Sequence, residues 1–336
     1  MAFRDIAGST SAHVAAKHGH AAVLRFLHEA GINLTVWDDE GTTPAHLAAE
    51  NGHVEALEAL AEAGADLGVN ERCPGGGFCR QETPLLIAAR SGNAGANLEA
   101  QDKNIGTPAH YAAGTNNVDM LRALHQMGVN LNTKGGLAHN TPAHYAAQLN
   151  KVKALEALAE MRVNLDAVDG SRHTPAFEAV RSGAVEALAV LAKVGVNLDA
   201  MDQLGKTAAF EAARNGNVEA LEVLAKAGAN LSATDGRHGT PAHAAARSGH
   251  AEALKVLAQA GANLETANTH FPRDLLTPVH LAAMGGKVDA LRVLIQAGVN
   301  LNVVDEYGDT PADKAADNGH EEALKLLLEA GGKRKA

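Results

Sequence analysis

Apolar residues along this chain fall into short periodic runs punctuated by glycine. Val54, Leu57 and Leu60 lie at i, i+3 and i+6, which places them on one face of a helix. Ahead of that run stands Thr43–Ala49, reading Thr-Pro-Ala-His-Leu-Ala-Ala. A threonine before a helix can accept a hydrogen bond from the unpaired N–H groups of the first turn. Proline at the first helical position loses no bond, because its missing N–H would be unpaired there. The small pair Ala48–Ala49 lets a neighbouring helix approach closely. Gly52 separates the two helices and Gly64 ends the second, each tolerating a positive φ. The segment Ala65–Asn70 is too short for a third helix. The pattern therefore predicts a unit of turn, short helix, longer helix and return loop.

The unit recurs. Versions of Thr43–Ala49 start at Thr10, Thr43, Thr83, Thr107, Thr141, Thr174, Thr207, Thr240, Thr277 and Thr310, and six of the nine intervals are 33 or 34 residues. A fixed period of this length marks a stacked-repeat protein. At 336 residues a single globular core would be stretched, whereas a stack grows freely because each repeat packs only on its neighbours.

The recurring stretch resembles the ankyrin repeat, a 33-residue unit of β-turn plus two helices around Thr-Pro-Leu-His-x-Ala. The likeness runs from about Asp5 to Gly331 and is clearest at Thr43–Ala49, Thr107–Ala113, Thr141–Ala147, Thr240–Ala246 and Thr277–Ala283. Alanine usually replaces the leucine after proline, and the second helix ends in Leu-Ala (Leu60–Ala61, Leu158–Ala159, Leu191–Ala192) where Leu-Leu is usual. The resemblance implies an all-α ankyrin-repeat solenoid of about ten stacked repeats, forming a single domain over residues 1–336. Its smaller core residues imply thinner interfaces and a less stable stack than a consensus array.

Composition narrows the function class. The chain carries 29 basic and 39 acidic residues, a net charge of −10, which argues against a nucleic-acid or membrane-surface binder. Its first ten residues contain no apolar signal core, and no apolar run approaches membrane-spanning length. Two cysteines give no disulfide framework. The expected location is the cytoplasm, with the nucleus as alternative. Few residues lie outside the repeats, which argues for a stand-alone, monomeric binder.

Two repeats break the period. The interval from Thr43 to Thr83 is 40 residues, adding an excursion around Cys73-Pro-Gly-Gly-Gly-Phe-Cys79. The next interval is only 24, and the nine missing residues are those of the third repeat's second helix. Either a break or hinge at 70–101 separates residues 1–93 from 102–336, or the gap reflects a skipped exon or faulty gene model, the reading favoured. Cys73 and Cys79 offer half of a four-ligand zinc site, a redox clip, or two inert thiols, the last favoured. A smaller insertion follows repeat eight at Thr269–Leu276. The tail, residues 332–336, holds Lys333-Arg334-Lys335, read as a solvated basic segment that offsets the helix dipole rather than a nuclear-import signal.

Seventeen histidines invite a metal or catalytic reading, but ten fall in register. His13, His46, His110, His144, His243 and His280 occupy the fourth place of the signature, and His20, His53, His250 and His320 follow the inter-helix glycine. The resemblance implies hydrogen bonding to turn and loop backbone for both sets. No His-Glu-x-x-His, phosphate-binding loop, Gly-x-Ser-x-Gly elbow or dinucleotide fingerprint is present. No catalytic residue, metal ligand or cofactor is expected.

Surface charge carries more. In the family, partners dock on the finger tips and the exposed end of the first helix. Two places before the inter-helix glycine stand Arg90, Arg181, Arg214 and Arg247, the last three in consecutive repeats, and Arg172, Lys206 and Arg237 fall in the adjacent fingers. Residues 169–250 carry eight basic and nine acidic side chains, so most of the chain's negative charge lies elsewhere. Trp37, one position before a finger tip, and Tyr307 in the last finger complete the candidate set. Arginine suits carboxylate capture through its planar fork. Glu178 and Glu211 stand three residues before Arg181 and Arg214, the spacing of exposed intrahelical pairs, whereas Arg247 follows Ala244. The function expected is a non-enzymatic protein–protein interaction module or scaffold that takes an acidic protein segment. The alternative is a regulatory or targeting subunit of an enzyme complex, or a fragment of a larger enzyme.

Overall fold

The computed structural model describes residues 5, 8–51, 53–65, 106–126, 128–269 and 275–335. The Cys73–Cys79 excursion, Arg90, the shortened third repeat, the break at 70–101 and most of the Thr269–Leu276 insertion lie outside them. The described residues form helix pairs: α1 (Ser11–Lys17) with α2 (Ala21–Glu29), α3 (Pro44–Glu50) with α4 (Val54–Glu62), α5 (Pro108–Gly114) with α6 (Val118–Gln126), α7 (Pro142–Gln148) with α8 (Val152–Glu160), and α9 (Pro175–Ser182) with α10 (Val185–Lys193). Then come α11 (Ala208–Asn215) with α12 (Val218–Lys226), α13 (Pro241–Ser248) with α14 (Ala251–Gln259), α15 (Pro278–Met284) with α16 (Val288–Gln296), and α17 (Pro311–Asp317) with α18 (Glu321–Glu329). Two compact units emerge, residues 1–146 with 151–170, and residues 147–150 with 171–336.

Each short helix starts on its threonine. Thr43 and Thr107, among others, hold extended backbone at the N-cap, with proline next. The signature histidine closes this start. The backbone N–H of Thr10, Thr43, Thr107, Thr141, Thr240 and Thr277 donates to Nδ1 of the histidine three residues on, at 3.0–3.2 Å. A backbone N–H can only donate, so Nδ1 bears no hydrogen and Nε2 carries it. Nε2 then reaches the loop before the next repeat: His110 to the Asn140 carbonyl at 2.9 Å, His243 to Leu276 at 3.0 Å and His280 to Asp309 at 3.2 Å. One side chain thus ties a helix start to the following repeat. Where phenylalanine replaces it, the threonine hydroxyl accepts directly from Phe177 N–H or Phe210 N–H.

The core follows from the second-helix spacing. Leu57 with Leu60, Leu155 with Leu158, Leu188 with Leu191, Leu221 with Leu224 and Leu254 with Leu257 are buried pairs at i, i+3. Ala45, Ala109, Ala143, Ala176 and Ala242, after each proline, are also buried. That burial accounts for alanine there: successive first helices pack against one another across these positions, α1 on α3 in the first unit and α9, α11, α13, α15 and α17 in series in the second. The second helices end at glycines such as Gly195 and Gly228, whose φ values are 80° and 78°. Arg162 occupies that place after α8 with φ 57°.

In the fingers of repeats seven and eight, one aspartate organises the turn. Asp202 Oδ1 accepts from the N–H groups of Leu204 and Lys206, and Asp235 Oδ1 from those of Arg237 and Gly239. The tail is exposed at Lys333, Arg334 and Lys335 and is also hydrogen-bonded to the last repeat. The Lys333 N–H donates to Asn302, Thr310 Oγ1 donates to the Lys333 carbonyl, and Arg334 pairs with Asp313 at 3.3 Å.

Candidate protein-binding face

In the second unit, the fingers and first helices of repeats seven and eight enclose a cleft of about 550 Å³. Its wall includes Lys206, Arg214, Arg237 and Arg247. Phe210, Leu204 and Ala244 supply apolar surface, and Asp235 is the acidic residue on the wall. Four of the candidate residues therefore meet in one recess. The reason is local. Lys206 and Arg237 ride on fingers whose shape Asp202 and Asp235 fix, while Arg214 and Arg247 project from the last turns of α11 and α13. Lys206 Nζ stands 5.2 Å from the centre of the Phe210 ring, an arrangement in which a cation is attracted to the aromatic face.

The arginines differ in their partners. Arg181 Nη2 lies 3.4 Å from Glu178 Oε2, and Arg214 pairs with Glu211, which also accepts from Asn215. These pairs are not the exposed ones that the spacing suggested. The carboxylate-bearing residues are only 3% and 4% exposed, with half-exposed arginines above them. A buried charge persists only when paired and hydrogen-bonded. Glu178 accordingly has a second partner in His173, whose Nδ1 is 3.0 Å away and whose ring stacks on Phe177.

The remaining candidates sit elsewhere. Arg172 is exposed in the finger before α9, with φ 64°. Trp37, in the first unit, is half-buried, and its ring packs 6.0 Å from that of His46 in its own repeat. Tyr307 is 59% exposed in the last finger. Lys314 Nζ stands 5.6 Å from its ring and binds Asp305 at 2.6 Å and Asp309 at 3.0 Å. Burial alone would push the Asp313 carboxyl up, but donors from Thr310, Lys335 and Arg334 outweigh it and bring the pKa to about 2.

Sequence reasoning missed Phe210, Leu204, Ala244, His243 and Asn268 as parts of the cleft. Burial, partly offset by the Leu276 bond and reinforced by the Arg247 charge, lowers the His243 pKa to about 4. A neutral imidazole therefore lines a cationic recess at neutral pH.

Among the described residues no helix is long and apolar enough to cross a membrane. The family model described as "Ankyrin repeats (3 copies)" matches residues 2–71, 93–169, 176–268 and 242–335, and that described as "Ankyrin repeats (many copies)" matches residues 46–125. Comparison with curated proteins finds no match.

Proposed function

Because the chain belongs to the ankyrin-repeat family, an all-α solenoid built for protein–protein interaction, we propose that it is a non-enzymatic binding module that takes an acidic protein segment on the finger tips and first helices of repeats six to eight. It acts as a monomeric scaffold in the cytoplasm or nucleus. The observation that carries this reading is the convergence of Lys206, Arg214, Arg237 and Arg247 on one cleft in a chain of net charge −10. Local charge of one sign in a recess with apolar walls focuses the field and raises the encounter rate with an oppositely charged partner.

The test is affinity capture with mass spectrometry, run with the intact chain and the variant K206E/R237E/R247E. Arg181 and Arg214 are left alone, because reversing them would set like charges against the buried Glu178 and Glu211 and test folding instead. Selective loss from the variant of a partner bearing an acidic stretch is the expected result. An identical partner list from both baits overturns the reading.

A further inference from the structure

Arginine recurs two places before the inter-helix glycine in repeats six, seven and eight, but among the described residues only two of the three are answered. Three residues before Arg181 and Arg214 stand Glu178 and Glu211, folded inward and paired with them. In repeat eight that place belongs to Ala244. Arg247 is exposed and, among the described residues, has no ion-pair partner. The space that a glutamate fills in the two preceding repeats is open in the third. Ala244 and Arg247 both line the 550 Å³ cleft, together with Phe210 and Lys206, and that volume falls within the range of about 300–1,000 Å³ usual for ligand sites. Lys206 likewise has no ion pair among the described residues. The carboxylate on the wall, Asp235, spends Oδ1 on two backbone N–H groups of its own finger.

We propose that a glutamate or aspartate side chain of an acidic peptide enters this cleft over Ala244 and completes with Arg247 the pair that Glu178–Arg181 and Glu211–Arg214 complete within their own helices, with Lys206 as the second cation. The inference rests on the acidic-segment reading above and specifies where the carboxylate goes. Carboxylate is the occupant for a structural reason: it is the group the same arginine position takes in the two preceding repeats, and planar pairing of guanidinium with carboxylate is geometrically selective. Phe210 and Leu204 offer apolar contact to the peptide's aliphatic stems.

The test uses the full chain and a fluorescein-labelled, capped hexaglutamate peptide, with hexaglutamine as the neutral control, read by fluorescence anisotropy. Ala244→Glu would supply the missing carboxylate in cis; its fold has precedent at Glu178 and Glu211. Arg247→Gln removes the cation at an exposed position. Each is expected to weaken hexaglutamate binding about tenfold, the scale of one charge-assisted contact, while Arg292→Gln, exposed on α16, leaves it unchanged. The Arg247 Nε–H resonance should move when peptide is added to the wild type, and should stand moved in Ala244→Glu without peptide. Equal binding by the wild type, Ala244→Glu and Arg247→Gln would overturn this placement while leaving the acidic-segment reading intact. No preference of the wild type for hexaglutamate over hexaglutamine would remove both.

Discussion

His243 makes the chain's stability depend on pH in a calculable way. Its Nδ1 accepts the Thr240 N–H at 3.1 Å, and its Nε2 donates to the Leu276 carbonyl at 3.0 Å. A second ring proton would set a donor against the Thr240 N–H. Burial is the main cause that holds the pKa at about 4 rather than 6.5. The Leu276 bond and the Asp235 charge oppose it, and the Arg247 charge adds to it. For a base whose pKa falls on folding, the full contribution is present above the unfolded value. As pH drops from 6.5 towards 4, only the unfolded chain takes up the proton, and stability is lost. The whole gap is worth roughly 3 kcal/mol, of which about 2 kcal/mol falls between pH 7 and pH 5. Burial lowers the His280 pKa in the same direction, so the wild type loses somewhat more than the His243 share.

The perturbation is His243→Phe, since Phe177 and Phe210 occupy the same place in repeats six and seven. At pH 7 the variant forfeits two hydrogen bonds and leaves the buried Thr240 N–H without its acceptor, while the Leu276 carbonyl keeps the Asn268 N–H, a cost of about 1–3 kcal/mol. Its further loss between pH 7 and pH 5 should be smaller than the wild type's by about 2 kcal/mol, measured by urea titration of both proteins at both pH values. The His280 contribution is common to the two and cancels. An NMR titration of the His243 ring protons should place its midpoint near 4. Equal losses in the two proteins, or a His243 midpoint near 6.5, would refute the reasoning.

Three positive-φ positions give further checks. Arg162→Gly should raise stability by about 0.5–1 kcal/mol, visible as a higher urea midpoint, because φ of 57° strains a side-chain-bearing residue more than glycine's added unfolded-state freedom offsets; a lower midpoint refutes this. Gly195→Ala meets nothing within 4 Å and should cost only its backbone strain, about 1 kcal/mol. In Gly216→Ala the new Cβ would lie 2.7 Å from His250 Nδ1, so the loss should exceed that of Gly195→Ala by at least about 1 kcal/mol, and His250→Ala in the same chain should remove the excess.

The fold was legible because its determinants are local and repeated. Threonine, usually with proline next, fixes where each first helix starts, the i, i+3 leucines fix which face of the second is buried, and glycine fixes where it stops; the exceptions are α1 and α11, which start without proline, and α8, which Arg162 follows. Alanine after proline read as a departure that thins the interface, and its burial shows the other side of that choice, close packing of one first helix on the next. The cleft was only half legible. Arg214 and Arg247 came from their register, but Phe210 and Ala244 belong to the cleft through partners a whole repeat away, and no window of one repeat contains both walls. The burial of Glu178 and Glu211 also ran against the ordinary expectation that glutamate is exposed. It depends on a phenylalanine beside each and an arginine above.

Partners one repeat apart also decide how the second helices are joined. His53 packs on Gly19, His250 on Gly216 and His320 on Gly286, each ring occupying the space a Cβ would need. His53 and His320 then donate from Nε2 to the Lys17 and Met284 carbonyls of the preceding repeat. Where the inter-helix residue is asparagine, the device changes. Asn116 and Asn150 hold φ of 62° and 54° and turn Oδ1 onto the N–H of Ala154 and Ala187, at 2.9 Å in both cases, capping the next repeat's second helix from outside. Lys151 and Ala184 stand there in place of histidine. The glycine–histidine and asparagine sets are mutually incompatible, and the joint has a third form, glycine without histidine, at Gly183, which meets nothing within 4 Å, and at Gly249, which meets Lys287. Exchanging one member alone leaves either an uncapped helix or a clash. The period therefore constrains pairs rather than single residues, and it is by this logic that Ala244 beside Arg247 reads as half of a pair.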